Sequence, residues 1–359
     1  MTNRDVPRRG TDAAELPMRV VQVMAGADYG GAEAFFMRLV PALARADVEQ
    51  RVVIREHAAR AATLAAVGLQ AVQLRFGGPL DLQTRWRLLR VIRQFRPQVV
   101  MTWMNRATQQ CPRGRFVHVG RLGGYYDPRY YRRCDHLIAN TADIAEHLLR
   151  SGFAPNQVHY LPNFVAGEPT SPLPRRSLFT PEGVPLLLAL GRLHRNKAFD
   201  VLIEALARLP DAYLWLAGEG PERAVLEALA EHVGVKPRIR FLGWREDVPA
   251  LLAASDILVC PSRHEPLGNV VLEAFAQRVP VVAAASQGPQ GLIANGETGL
   301  LVPVDDPAAL AAAVKSLSRN GVLASRLAEA GRAVYEAEFT EGKVVQRYKA
   351  FLEQVGNAG

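Results

Sequence analysis

Ser255-Asp-Ile-Leu-Val-Cys-Pro-Ser-Arg-His-Glu-Pro-Leu-Gly-Asn-Val-Val-Leu-Glu-Ala274 reads as a short buried strand, a Pro/Gly-punctuated loop and the opening of a helix. That junction puts Glu265 in the loop and Glu273 in the first turn of the helix. Helix side chains lean toward their own N-terminus, so both carboxylates are expected to face one crevice. Acceptor-only carboxylates suit a ligand rich in hydroxyls, and the free N–H groups of a helix start, here at Leu267, Gly268, Asn269 and Val270, suit a phosphate. A sugar nucleotide presents both. Taken alone, the pair is also what a capped, solvated surface helix would carry.

The same alternation runs outward in both directions. Toward the N-terminus, apolar runs at 18–25, 50–54, 70–74, 97–102, 115–122, 136–140 and 157–161 read as strands, with helices at 32–46, 58–67, 82–95 and 142–149. Residues 165–184 are rich in Pro and Gly and lack periodicity, which marks a linker. Strand patterns resume at 185–190, 212–217, 238–242, 256–260, 279–283 and 300–302, with helices between them. The expected fold is α/β: two Rossmann-like doubly wound domains facing a cleft, with ligands at the strand carboxyl ends. The expected division is a disordered leader over 1–17, an N-terminal domain over 18–164, the linker, and a C-terminal domain over 185–335. A last helical segment, 336–359, is expected to cross back to the first domain.

Composition narrows the chemistry. At 359 residues the chain is long enough for two ordinary cores. No apolar run approaches the roughly 18–20 residues of a membrane-spanning helix, and residues 1–17 lack the apolar segment of a signal peptide. Cys111, Cys134 and Cys260 have no metal-ligand spacing, so they read as reduced thiols of a cytoplasmic protein. There is no Asp-X-Asp pair, no clustered His/Asp/Glu set, no P-loop and no serine elbow, which leaves metal, ATPase and hydrolase readings without residues. Cations after a strand could do a metal's work: Arg192 and Lys197 in Gly191-Arg-Leu-His-Arg-Asn-Lys197 would neutralise a departing diphosphate. Gly218-Glu-Gly-Pro221 permits a tight turn and close backbone approach. The glycines of 26–31 precede a helix without dinucleotide-fingerprint spacing.

Several of these motifs occur in a familiar order. Gly30-Gly31-Ala-Glu33, Gly191-Arg192 with Lys197, Gly218-Glu-Gly-Pro221, Phe241-Leu-Gly243, Pro261-Ser-Arg, Glu265 with Glu273, and Gly299-Leu-Leu-Val-Pro303 resemble the family 4 (group 1) retaining glycosyltransferases of GT-B fold, some of which build bacterial lipopolysaccharide core. The resemblance implies that Arg192 and Lys197 bind the donor diphosphate and that Glu265 contacts donor-sugar hydroxyls. It implies that the backbone at 267–270 holds sugar and phosphate, and that Glu273 takes the ribose. Gly30 and Gly31 would close over the phosphates, Gly218 would line the site, and Trp244 and Arg245 would lie by the base. The implied reaction retains anomeric configuration and needs no cofactor beyond a UDP- or GDP-linked donor. Two departures stand out. The family histidine of the first domain is absent from its usual place, leaving His118, Arg121, Gly123 and Gly124 as acceptor-side candidates. Gly291 stands where the family often has a glutamate.

Charge separates the halves. Residues 1–170 hold 23 Arg, no Lys and 14 acids, a net +9, against −1 for the remainder. In Arg85-Trp-Arg-Leu-Leu-Arg-Val-Ile-Arg-Gln-Phe-Arg96 and Tyr125-Tyr-Asp-Pro-Arg-Tyr-Tyr-Arg-Arg133, arginines mix with apolar and aromatic residues. The first is an ordinary helix with a solvated arginine face, or a surface for an anionic membrane or phosphorylated acceptor. Nucleic acid is not expected, since no binding module accompanies the charge. The sequence therefore points to a hexosyltransferase acting on a glycolipid or other envelope glycan, cytoplasmic and peripheral to the inner membrane face. An epimerase on the same fold and a non-catalytic sugar-nucleotide scaffold are the rivals.

Overall fold

In the computed structural model, residues 17–28, 30–78 and 80–357 are described. The leader expected over 1–17 therefore falls outside the described residues except for Pro17. The first half contains β1 (Arg19–Met24), α1 (Gly31–Arg45), β2 (Glu49–Arg55), α2 (Ala58–Ala66), β3 (Ala71–Leu74) and α3 (Leu82–Phe95). It continues through β4 (Val99–Trp103), α4 (Met104–Gln110), β5 (Val117–Leu122), β6 (His136–Ala139), α5 (Ala142–Arg150) and β7 (Val158–Tyr160). Its strands form one sheet in the order β3-β2-β1-β4-β5-β6-β7, every pair parallel.

The second half contains β8 (Leu186–Leu190), α6 (Phe199–Leu206), β9 (Tyr213–Ala217), α7 (Arg223–His232), β10 (Ile239–Gly243), α8 (Val248–Ala254) and β11 (Ile257–Cys260). After these come α9 (Asn269–Ala276), β12 (Val281–Ala284), α10 (Gln287–Leu292), β13 (Leu300–Val302), α11 (Pro307–Arg319), α12 (Gly321–Glu338) and α13 (Glu341–Asn357). This sheet runs β10-β9-β8-β11-β12-β13, again parallel. Both sheets reverse their strand order at the centre, between β1 and β4 and between β8 and β11. Ligand crevices of doubly wound folds form at such points.

Central parallel strands are covered on both faces, so they must be apolar throughout. Leu186–Leu190 and Ile257–Cys260 are buried at every residue. Between the halves, residues 165–184 hold one short 3-10 turn, Arg175–Leu178. Arg175 pins it to the second sheet through Asp256 and the carbonyls of Val184 and Ala254. The last helix, α13, lays Val344, Val345, Tyr348, Phe351, Leu352 and Val355 into the core beneath β1, α1 and β4. Six such side chains stabilise that docking by roughly 10 kcal/mol before entropic costs.

Three helices were not among the expected elements: α4, α10 and α12. Helix α12 is rich in Ala and Gly, which blurs its apolar stripe. Its Gly331 lies so close to α9 that an added Cβ would come within 2.5 Å of the Phe275 ring. Glu273 also differs from expectation. Because α9 begins at Asn269, this carboxylate sits in the second turn.

Candidate donor site at the strand carboxyl ends

The loops after β8 and β9 pack together on glycines, and the loop after β11 joins them through His264 N, which donates to the Asn196 carbonyl at 3.1 Å. Gly218 has φ +149°, and a Cβ there would lie 1.8 Å from the Gly191 carbonyl oxygen. Only glycine fits that approach, so its requirement comes from loop packing. Lys197 closes the β8 loop and forms an ion pair with Glu265, whose carboxylate also accepts from Ser262 Oγ at 3.3 Å. Burial disfavours the Lys197 ammonium, but the adjacent Glu265 charge and hydrogen bond, with Cys260 nearby, outweigh it and raise its pKa. Arg192, in the same loop, is exposed and forms no ion pair among the described residues.

The Glu265 loop is braced from below. Gly288 N donates to the Glu265 carbonyl at 2.7 Å, and a Cβ on Gly288 would fall 2.5 Å from the Leu267 carbonyl carbon. Gly268, with φ +82°, then turns the chain into α9. The N–H groups of Asn269 and Val270 lie in the first turn, where a helix has no internal acceptor for them. Ser286 Oγ, at the end of β12, is buried without a hydrogen-bond partner.

Across the cleft stands the start of α1. Glu33 folds back so that its carboxylate accepts from Ala27 N at 2.8 Å. A Cβ at Gly26 or Gly30 would strike that carboxylate, at 2.3 and 2.2 Å, so both glycines make room for it. Gly31 faces α9, the Asn269 amide nitrogen lying 3.5 Å from where its Cβ would be. Two further links join the halves here. Asn163 Nδ2 donates to Asn269 Oδ1 at 3.1 Å, and Arg38 Nη2 approaches Glu273 Oε1 at 3.4 Å. Burial pushes the Glu273 pKa up, with Arg38 opposing. Arg38 and Asn163 carried no signal in the sequence, because an arginine in a helix and an asparagine before a linker read as solvated groups.

The candidate residues therefore divide. Lys197 meets Glu265, while Asn269 and Glu273 of α9 meet Gly31, Asn163 and Arg38 of the first half. Arg192 lies in the loop that carries Lys197, and Leu267 is buried. Trp244 and Arg245 follow β10, two strands from β8; Trp244 is 58% exposed and Arg245 pairs with Asp247 at 2.7 Å. Gly291 lies exposed on α10 with nothing within 4 Å of an added Cβ.

Two acceptor-side candidates are corrected. His118 is buried in β5, its Nε2 3.0 Å from Thr102 Oγ1 and 3.9 Å from Cys134 Sγ. Burial pushes its pKa down to about 4, so at neutral pH it is an uncharged core group away from the cleft. Arg121 is also interior, its guanidinium stacked between Phe35 and Trp103 at 4.6 and 4.4 Å. It donates to Tyr348 of α13 and to Asn163, tying the last helix to the link between the halves. Gly123 lies beside Ala32 of α1 and Asn140, whose buried Oδ1 has no partner. Gly124 lies against Tyr126. Tyr125, hydrogen-bonded to Asp143, faces His264 of the opposite half with ring centroids 6.3 Å apart.

Two parallel α/β sheets meeting at their strand carboxyl ends make up the GT-B fold. Residues 29–168 match the model for Glycosyltransferase Family 4, and residues 172–334 match that for Glycosyl transferases group 1. The lipopolysaccharide core biosynthesis glycosyltransferase LpsE of Rhizobium meliloti is 37% identical over 339 residues, 93% of this chain and 99% of that protein. LpsD of the same organism is 34% identical, over 92% and 97%. Among solved structures, Anabaena Alr3699/HepE in complex with UDP and glucose superposes with a TM-score of 0.83 at 20% identity, covering 94% of this chain and 100% of that one. WaaG, a glycosyltransferase involved in lipopolysaccharide biosynthesis, gives 0.71 at 19% identity, over 94% and 99%. The chain belongs to the group 1, family 4 glycosyltransferases. Among the described residues, no helix is long and apolar enough to cross a membrane, and no three His, Cys, Asp or Glu side chains are grouped to hold a metal ion.

Proposed function

We propose that the protein is a retaining hexosyltransferase that moves a sugar from a UDP- or GDP-linked donor to a lipopolysaccharide-core or similar envelope-glycan acceptor. The observation that carries this reading is the Lys197–Glu265 pair beside the first turn of α9, at the switch point of the second sheet. Glu265, oriented by Lys197 and Ser262, accepts from donor-sugar hydroxyls. Glu273 takes the ribose, exchanging Arg38 for it. The diphosphate lies against the α9 backbone and the Gly30-Gly31 turn.

In the transfer step the acceptor oxygen bonds to the anomeric carbon as the bond to the phosphate oxygen breaks. The acceptor proton passes to that departing oxygen on the same face, which retains configuration. Arg192 and Lys197 stabilise the charge gathering on the diphosphate, the service a divalent ion would otherwise provide. No cofactor enters the scheme. The identity of LpsE and LpsD favours the acceptor class, and the UDP and glucose held by HepE favour a nucleotide-sugar donor.

Helix α3 supports a cytoplasmic-face, peripheral location on anionic lipid. Leu80, Leu82 and Trp86 are 92%, 72% and 61% exposed beside arginines 85, 87, 90 and 93. Apolar groups flanked by arginines suit an anionic bilayer surface. Two assays test the proposal. Transfer from UDP- and GDP-hexoses to envelope glycan should be abolished by Glu265→Ala, and undiminished transfer would sink the assignment. Flotation with anionic liposomes at low salt should retain the wild type and release Trp86→Ser; failure to retain the wild type removes the membrane element.

A further inference from the structure

The carboxyl ends of β1, β2 and β3 enclose a cavity of about 320 Å³ that the donor scheme leaves unused. Its lining includes Asp28, Arg55, Glu56, His57, Arg60 and Arg75. These strands are parallel, so the cavity opens on the same sheet edge as the Gly30-Gly31 turn, which faces α9 across the cleft. It is thus placed on the opposite wall from the donor loops, where an acceptor would approach.

The lining is built rather than merely solvated. Arg60 is 6% exposed, and its Nη2 donates to the carbonyls of Ala27 and Asp28 at 2.8 and 3.1 Å, so it forms a fixed floor under the β1–α1 loop. His57 caps α2, its Nδ1 accepting from Arg60 N at 3.1 Å. With Nδ1 used as the acceptor, Nε2–H is left as a donor. Arg55 and Arg75 are exposed and form no ion pair among the described residues. Asp28 and Glu56 add carboxylate acceptors to the lining.

Resting on the transferase reading above, we infer that this cavity is the acceptor subsite and that it takes a sugar bearing an anionic group, a phosphate monoester or a carboxylate. Guanidinium forks at Arg55 and Arg75 match the planar or tetrahedral oxyanion, and the two carboxylates match the hydroxyls of the same ring. A bare anion would meet Asp28 and Glu56 unfavourably, and a neutral sugar would leave both arginines unused. A charged sugar uses every group.

Calorimetric titration of the full chain tests this with glucose 6-phosphate, glucuronate and glucose, with UDP in excess so that the donor loop is occupied. An anionic sugar should bind about tenfold or more tightly than glucose, as one charge-assisted contact allows. The phosphate and carboxylate arms tell which oxyanion is preferred. Arg55→Gln with Arg75→Gln, both exposed positions, should erase the preference. Equal binding of all three sugars, or a preference that survives the double substitution, overturns the subsite. UDP affinity, measured separately in both proteins, should be the same. Absence of UDP binding in the wild type would count against the donor reading, while the sugar comparison would still decide the subsite.

Discussion

Replacing Lys197 with Met removes a cation but keeps its stem, and so isolates the ion pair with Glu265. The side chains are 23% and 11% exposed, so the pair is mostly desolvated. Breaking a fully buried pair costs about 3–5 kcal/mol, because the remaining charge loses its partner. Residual exposure here, and the Ser262 hydroxyl that continues to donate to Glu265, bring the expected loss to about 2 kcal/mol. For a domain of this size that lowers Tm by roughly 4–8 °C. Differential scanning calorimetry on Lys197→Met, Glu265→Gln and the double variant completes the cycle. The double variant should recover most of the loss, since a neutral amide no longer needs the ammonium. In the transfer assay Lys197→Met should lower kcat by about 100-fold or more. Additive Tm losses in the cycle would refute the coupling on which the site is built.

Gly218→Ala should cost about 3 kcal/mol or more and reduce soluble yield, since the new Cβ meets backbone at a positive φ, whereas Gly291→Ala on the open face of α10 should leave Tm within about 1 °C or raise it slightly. His118 has its folded pKa lowered to about 4 from an ordinary 6.5, so its stabilising contribution is complete above 6.5 and is lost as pH falls toward 4. The loss amounts to as much as about 3 kcal/mol; thermal melts from pH 7.5 to 4.5 should show a steeper fall for the wild type than for His118→Gln. Arg121→Ala removes the stacked guanidinium that holds Tyr348 and Asn163, and should cost about 3 kcal/mol. Limited proteolysis should then cut near Phe339, freeing α13, at protease levels that spare the wild type.

The alternation of two parallel sheets could be read directly because buried parallel strands are uninterrupted apolar runs, as at Leu186–Leu190. Loop chemistry was legible one residue at a time: Lys197 and Glu265 each stood after a strand, yet their pairing depends on β8 and β11 being neighbours. Arg121 misled because a charge at a strand end looks like a cleft residue, and nothing in sequence shows Phe35 and Trp103 closing on it. His118 was placed by strand, but its face depends on Cys134 and Thr102, which only the fold brings against it. Arg38 and Asn163, the groups that meet α9 from the first half, left no pattern at all.

Binding of a nucleoside diphosphate is the most direct test of the donor site. UDP and GDP are titrated against wild type and Glu273→Gln, followed by thermal shift. One of the two nucleotides at 100-fold its Kd should stabilise the wild type by about 2.7 kcal/mol. Glu273→Gln should weaken that nucleotide about tenfold, the loss of one charge-assisted ribose contact. No stabilisation of the wild type by either nucleotide, or equal affinity in the variant, would contradict the account.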